Sequence, residues 1–235
     1  VALVVAALLT VGAAAKDEWK KKPAGQWTRE EAVEFFTKSP WAKEVEVWHL
    51  TGRQVRETVR QQTQTYSDAP GEPPVSVSTA TSSLAPEQAA GRYRVAWTSA
   101  ELVRQGWERL KEIDPALAEQ FEPPEASAAH HIVTVRVAQP PEGGQVVFAG
   151  LVPAELSARA TLRSSKKVTV TSEQAVVHGT GAAMAVSFYF PRAENGRATL
   201  AGAEWAEFEF ESRAGDKLKH KFKLKEMRHD GRPDF

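Results

Sequence analysis

The stretch from Trp205 to Lys225, WAEFEFESRAGDKLKHKFKLK, constrains the fold of this chain more than any other. Ala206, Phe208 and Phe210 take even positions while Glu207, Glu209 and Glu211 take odd ones. After a break, Leu218, His220, Phe222 and Leu224 are even and the lysines from Lys217 to Lys225 are odd. Successive side chains of a strand point to opposite faces, so each arm has one apolar and one charged face. A two-residue turn at Ala214-Gly215 would set even positions against odd ones and place lysines beside phenylalanines. A three-residue loop, Arg213-Ala214-Gly215, keeps the faces matched and puts glycine at the left-handed position such loops need. The register that follows sets Glu211 opposite Lys217, Glu209 opposite Lys219 and Glu207 opposite Lys221. Each pair is worth roughly 0.2–1 kcal/mol, enough to select a pairing but not to hold a domain together.

A long antiparallel hairpin needs something to cover its apolar face, and the earlier parts of the chain supply helices. Thr28-Arg29-Glu30-Glu31 reads as a capping box opening a helix to about Lys38, which Ser39-Pro40 ends. Trp41 leads into a strand over Lys43–Leu50. Tyr93, Val95 and Trp97 alternate in a second strand that runs into Thr98-Ser99-Ala100-Glu101, a second capping box. The helix beyond it, to about Glu112, carries Leu102, Val103, Trp107, Leu110 and Ile113 on one face despite Gly106. Asp114-Pro115 starts a short helix to about Phe121. HHIVTVRVAQ, His130–Gln139, is the best central strand, followed by a short strand over Gln145–Ala149 and a helix from Pro153 to about Leu162. The last third shows strands only: Lys167–Val177, Ala183–Phe190, Glu204–Glu211 and Lys217–Lys225, separated by Gly179-Thr180-Gly181 and Glu194-Asn195-Gly196. The expected fold is α+β, a mainly antiparallel sheet with a C-terminal β-meander and helices packed on one face.

Val1–Val11 is apolar but shorter than the roughly 20 residues a spanning helix needs, and Ala13-Ala14-Ala15 follows it as a small-residue cleavage site. Residues 1–15 therefore read as a signal peptide cut after Ala15, and residues 16–235 as one domain that is secreted or periplasmic. Arg53–Tyr66 fits either a strand or a weak helix. Residues 67–91, rich in Pro, Ser, Thr and Ala, read as a mobile low-complexity loop. With no cysteine in 235 residues, disulfides, thiolate metal sites and a cysteine nucleophile are excluded, which suits a bacterial periplasm or exterior at least as well as a eukaryotic secretory path. Thirty basic residues balance thirty acidic ones, which speaks against nucleic acid as a partner, and no later stretch would anchor the chain across a membrane.

Chemistry is harder to find. His49, His130, His131, His178, His220 and His229 lie at no metal-binding spacing, and no G-x-S-x-G elbow, dinucleotide fingerprint or metalloprotease motif occurs. No catalytic, cofactor-binding or metal-ligating residue is singled out. Among seven tryptophans, Trp41, Trp48, Trp97, Trp107 and Trp205 fall on strand or helix faces and read as core anchors. Trp19 and Trp27 belong to no periodic element, which makes them the candidate partner-binding residues. Two readings stay open. One is a non-catalytic exported domain that binds a protein or an envelope polymer. The other is a secreted hydrolase whose groups meet only in the fold, its best region being Thr98 and Ser99 at a helix N-terminus, where an anion could sit.

Trp19-Lys20-Lys21-Lys22, Trp27-Thr28 with Glu31, Ser39-Pro40-Trp41-Ala42, Arg94 to Ala100, Phe190-Pro191-Arg192 and Phe222-Lys223-Leu224-Lys225-Glu226-Met227 occur in one order over nearly the whole mature chain. In this the sequence resembles a family of uncharacterised exported bacterial proteins. The resemblance implies export and a single shared architecture, and nothing about reaction or ligand.

Overall fold

The computed structural model describes residues 18–50, 88–142 and 145–235. The leader, the segment from Arg53 to Tyr66 and most of the low-complexity loop fall outside the described residues. The strands are β1 (Ala42–Leu50), β2 (Gln88–Trp97), β3 (His130–Gln139), β4 (Ala160–Ser164), β5 (Thr169–Thr171), β6 (Gln174–His178), β7 (Ala185–Pro191), β8 (Ala193–Glu194), β9 (Arg197–Ala198), β10 (Ala206–Glu211), β11 (Lys217–Phe222), β12 (Arg228–His229) and β13 (Arg232–Pro233). The helices are α1 (Arg29–Lys38), α2 (Glu101–Ile113), α3 (Pro115–Ala118) and α4 (Pro153–Ala158), with 3-10 turns at Glu18–Lys21 and Ala24–Gln26.

The α+β expectation holds, with antiparallel pairing throughout, and the strands are divided between two main sheets. One has the order β1-β2-β3-β7-β6, the other β11-β10-β4-β5. The C-terminal strands are shared between them: β7 joins β3, while β10 pairs with both β11 and β4. The sheets meet through alternate residues. Phe188 of β7 lies 5.4 and 5.6 Å from Phe208 and Phe210 of β10, and Trp97 of β2 meets Phe222 of β11 edge-on at 4.9 Å. Phe148, on a turn, fills the gap between Phe188 and Phe210. That turn is pinned where the amide of Val147 donates to the Tyr93 hydroxyl at 3.1 Å. Burial pushes this phenol up to about 12.

The hairpin forms in the expected register, with Glu211, Glu209 and Glu207 opposite Lys217, Lys219 and Lys221. Gly215 has φ 90° in the turn, where the Ser212 hydroxyl accepts from the amides of Ala214 and Asp216. Phe208, Phe210, Leu218 and Phe222 are fully buried. Lys219 and Lys217 both reach Glu209, at 2.7 and 3.1 Å, and hold its carboxyl below the usual range. Glu207 turns instead to Arg163 of β4 at 2.6 Å, leaving Lys221 over the Trp205 ring. The β10–β4 pairing brings Arg163 directly across from Glu207, and a third strand was not visible from the hairpin alone.

Several expected boundaries move. Residues 88–91, expected at the end of the loop, already belong to β2. The helix at Pro153 stops at Ala158, and Ala160–Ser164 is a strand, because β10 offers a second edge to pair with. Gln145–Ala149 is a turn rather than a strand. The capping box at Thr28 and Glu31 is present. The one expected at Thr98 is not: α2 begins after Ala100, which has no capping side chain.

Candidate functional site

On the side of the larger sheet turned away from the second sheet, β3, β6 and β7 carry polar residues that the loop 122–127 crosses. Thr98 Oγ1 and Thr134 Oγ1 are 2.8 Å apart, and Thr134 Oγ1 is 3.0 Å from Ser187 Oγ. Ser187 donates to Glu125 Oε1 at 2.9 Å and lies 3.1 Å from His178 Nε2. The Tyr189 hydroxyl donates to the other oxygen of Glu125, and burial together with that carboxylate pushes the phenol upward. Serine, histidine and carboxylate thus converge, but not as a catalytic relay. A relay needs the acid on the far imidazole nitrogen, whereas Glu125 lies 3.7 Å from the same Nε2 that faces Ser187. Ser187 is also only 1% exposed. The network works as a clamp: with the Arg136–Glu122 ion pair and Arg94 donating to the Gln120 carbonyl, it fastens the loop to the sheet.

Among the described residues, a smaller and a larger cleft bear on the expected sites. The smaller, about 250 Å³, lies between the start of α2, the 124–126 loop, Arg192 and Pro233–Phe235. It contains the expected anion-binding region, with its hydroxyls otherwise engaged. Thr98 is tied to Thr134, and Ser99 accepts from the amide of Ile132 at 3.0 Å. The free amides of Glu101 and Leu102 are taken by the carboxylate of Asp234, at 2.7 and 3.0 Å. Asp234 is 133 residues from Glu101, so no local pattern could have pointed to it. Glu125 and Arg192 were likewise unreadable as site residues, although Pro123 and Pro124 marked the loop that presents Glu125.

The larger cleft, about 560 Å³, is a groove walled by Lys20, Lys21, Lys22, Gln105, Glu226, Arg228, His229 and Asp230, with Trp19, Trp27 and Trp41 contributing to its lining. Here the tryptophan expectation needs correction. Trp19 and Trp27 are 4% and 1% exposed, so they are not free stacking platforms. Trp27 packs 4.8 Å from Phe35 and Trp19 packs 6.0 Å from Trp41, while Trp27 Nε1 donates to the carbonyls of Trp19 and Lys22. Irregular turns bury them because neighbouring helices close over both rings, something sequence periodicity does not report. Trp48, read as a core anchor, is 59% exposed, since nothing described covers that face of β1.

The remaining histidines are dispersed. His131 is buried against Trp97 and Phe235, and burial aided by Arg192 brings it down to about 3. His220 is brought down to about 4 by burial and by Lys43. His130 pairs with Glu173 at 3.1 Å, and only the backbone of His49 is described. Among the described residues no group of three or more His, Asp or Glu could hold a metal ion, and no helix is long and apolar enough to cross a membrane. Comparison of the chain with protein-family models, with curated proteins and with solved structures gives no significant match.

Proposed function

We propose that this is the folded part of an exported bacterial protein of the uncharacterised family it resembles, and that it is a non-catalytic domain holding an acidic cell-envelope polymer in the groove at Lys20–Lys22. The observation that carries this reading is the lining of the groove: three consecutive lysines, Arg228 and His229 against Glu226 and Asp230, with buried tryptophans fixing the wall. Lys21 and Lys22 are already paired, with Glu18 at 2.6 Å and Glu31 at 2.8 Å, so the field is a moderate one that suits a repeating polyanion better than a single small ion. Replacing Lys20, Lys21 and Arg228 together by Gln should cut retention on isolated envelope material about tenfold at low ionic strength. The unaltered protein should itself lose retention as salt screens the charges. Retention unchanged by both would sink the proposal, and retention on envelope protein alone would replace the polymer with a protein partner. N-terminal sequencing of the exported protein should begin at Lys16.

A secreted hydrolase is favoured by one observation, the approach of Ser187 to His178 and Glu125. Labelling by a serine-directed fluorophosphonate, lost in Ser187→Ala, would establish it. The burial of Ser187 predicts no labelling.

A further inference from the structure

The hairpin β12–β13 turns at Asp230 and Gly231, with φ 49° and 74°, and delivers Asp234 and Phe235 across the start of α2. Asp234 and Phe235 of this strap are held to the rest of the fold by hydrogen bonds at side chain and main chain. The Asp234 carboxylate accepts from the first two helical amides, the Asp234 carbonyl accepts from Trp41 Nε1 at 2.7 Å, and Arg192 Nη1 donates to the main-chain oxygen of Phe235 at 2.6 Å. The Phe235 ring lies 6.1 Å from Trp97 and 6.0 Å from His131. Helix starts normally draw a cap from the preceding residue, but Ala100 supplies none and Thr98 and Ser99 are engaged elsewhere. The positive end of a thirteen-residue helix is thereby reserved for a carboxylate arriving from outside the local chain.

A second observation shows that the strap is an incomplete match. Trp97 Nε1 and His131 Nδ1 have no hydrogen-bond partner, although the two residues are 0% and 4% exposed. Their rings lie 5.4 Å apart and both meet Phe235. Unpaired polar atoms this deep are costly, and a phenyl ring can satisfy neither. Beside the strap the 250 Å³ cleft stays open, lined by Arg104, Glu125 and Arg192 as well as by the strap itself.

We propose that this is a peptide-recognition site in which Pro233–Phe235 stands in for the true ligand, an acidic residue followed by a hydroxyl-bearing aromatic on a partner protein. The carboxylate would take the α2 amides, a main-chain oxygen would take Arg192 and the His131 ring as the Phe235 backbone does now, and the ring hydroxyl would supply the hydrogen bond that the Phe235 ring cannot give to Trp97 Nε1 or His131 Nδ1. A second copy of this chain would bring the same phenylalanine and leave the same atoms unpaired, so a different protein fits better.

The test uses the full chain with Asp234→Asn and Phe235→Ala together, which loosens the strap without removing it. Fluorescent heptapeptides with the sequence of His229–Phe235 are titrated in three forms: as found, with Tyr in place of the final Phe, and with Asn in place of the second Asp. The Tyr peptide should bind the variant at least threefold more tightly than the Phe peptide, the Asn peptide at least tenfold more weakly, and all three should bind the unaltered chain at least tenfold more weakly than the variant. Failure of every peptide to bind a folded variant, or equal binding of the Asp and Asn forms, overturns the proposal. So does exchange of this strap between copies, seen as dimerisation of the unaltered chain. If the variant does not fold, hydrogen exchange on the unaltered chain decides. A displaceable strap lets the amides of Glu101 and Leu102 exchange at least a hundredfold faster than those of Val133 and Val135, and equal protection rules it out.

Discussion

Two regions bury large aromatic rings by opposite means. In the hairpin β10–β11, Phe208, Phe210 and Phe222 are buried because strand geometry sends every second side chain to one side and a second sheet lies there. In the N-terminal segment, Trp19 and Trp27 sit on two short 3-10 turns with no repeating pattern, and they are buried by contacts with α1, α2 and Trp41 that come from elsewhere in the chain. The first region carries the instruction for burial in its own order of residues. The second has local hydrogen bonds from Trp27 Nε1 to the carbonyls of Trp19 and Lys22, but acquires burial only once its neighbours are in place.

The sharpest way to break this contrast is to remove one ring from each region. Trp27→Ala and Phe208→Ala should each cost about 3–5 kcal/mol, measured by urea unfolding. A loss below about 1 kcal/mol at Trp27 would mean that the N-terminal segment is not part of the cooperative core. Next in size is acidity at His220. Its folded value of about 4 lies below the unfolded 6.5, so the unfolded chain takes up the proton first. Stability is therefore full above about pH 6.5 and falls as pH drops toward 4. From this residue the loss between pH 7 and 5 is on the order of 2 kcal/mol, and urea midpoints for His220→Phe should show a correspondingly shallower slope.

Gly106 tests how tightly the N-terminal segment is seated. A Cβ there would come within 2.6 Å of Trp27 Cζ3, so Gly106→Ala should cost about 1 kcal/mol net. Overpacking then outweighs the gain in helix propensity, the reverse of the result for an exposed helical glycine. On the wet face of the hairpin, Glu209→Gln should lower stability by at most about 1 kcal/mol at low salt and by less at high salt. Smallest of all, Trp48→Ala should change stability by no more than about 0.5 kcal/mol, because its ring is largely in water.

The legibility of the molecule follows the same division. The register of β10–β11, the extent of β3 and the start of α1 at its capping box were readable because each depends on residues within a few positions of one another. The missing cap of α2 was not, because Thr98 and Ser99 find stronger partners on β3 and the carboxylate that replaces them comes from Asp234. The Ser187–Glu125–His178 contacts join two strands and a loop, and their sequence neighbourhoods carry no motif.

By itself the sequence determined the α+β class, the antiparallel hairpin with its charge-paired face, and an apolar complement large enough to need covering. Those properties arise from backbone periodicity and short-range hydrogen bonding, which act before distant parts of the chain meet. The tertiary structure decided how the strands divide between two sheets, which tryptophans are dry, and that the start of α2 receives Asp234. Each of these depends on contacts between residues far apart in the chain, and a linear pattern carries no record of which surfaces will face one another.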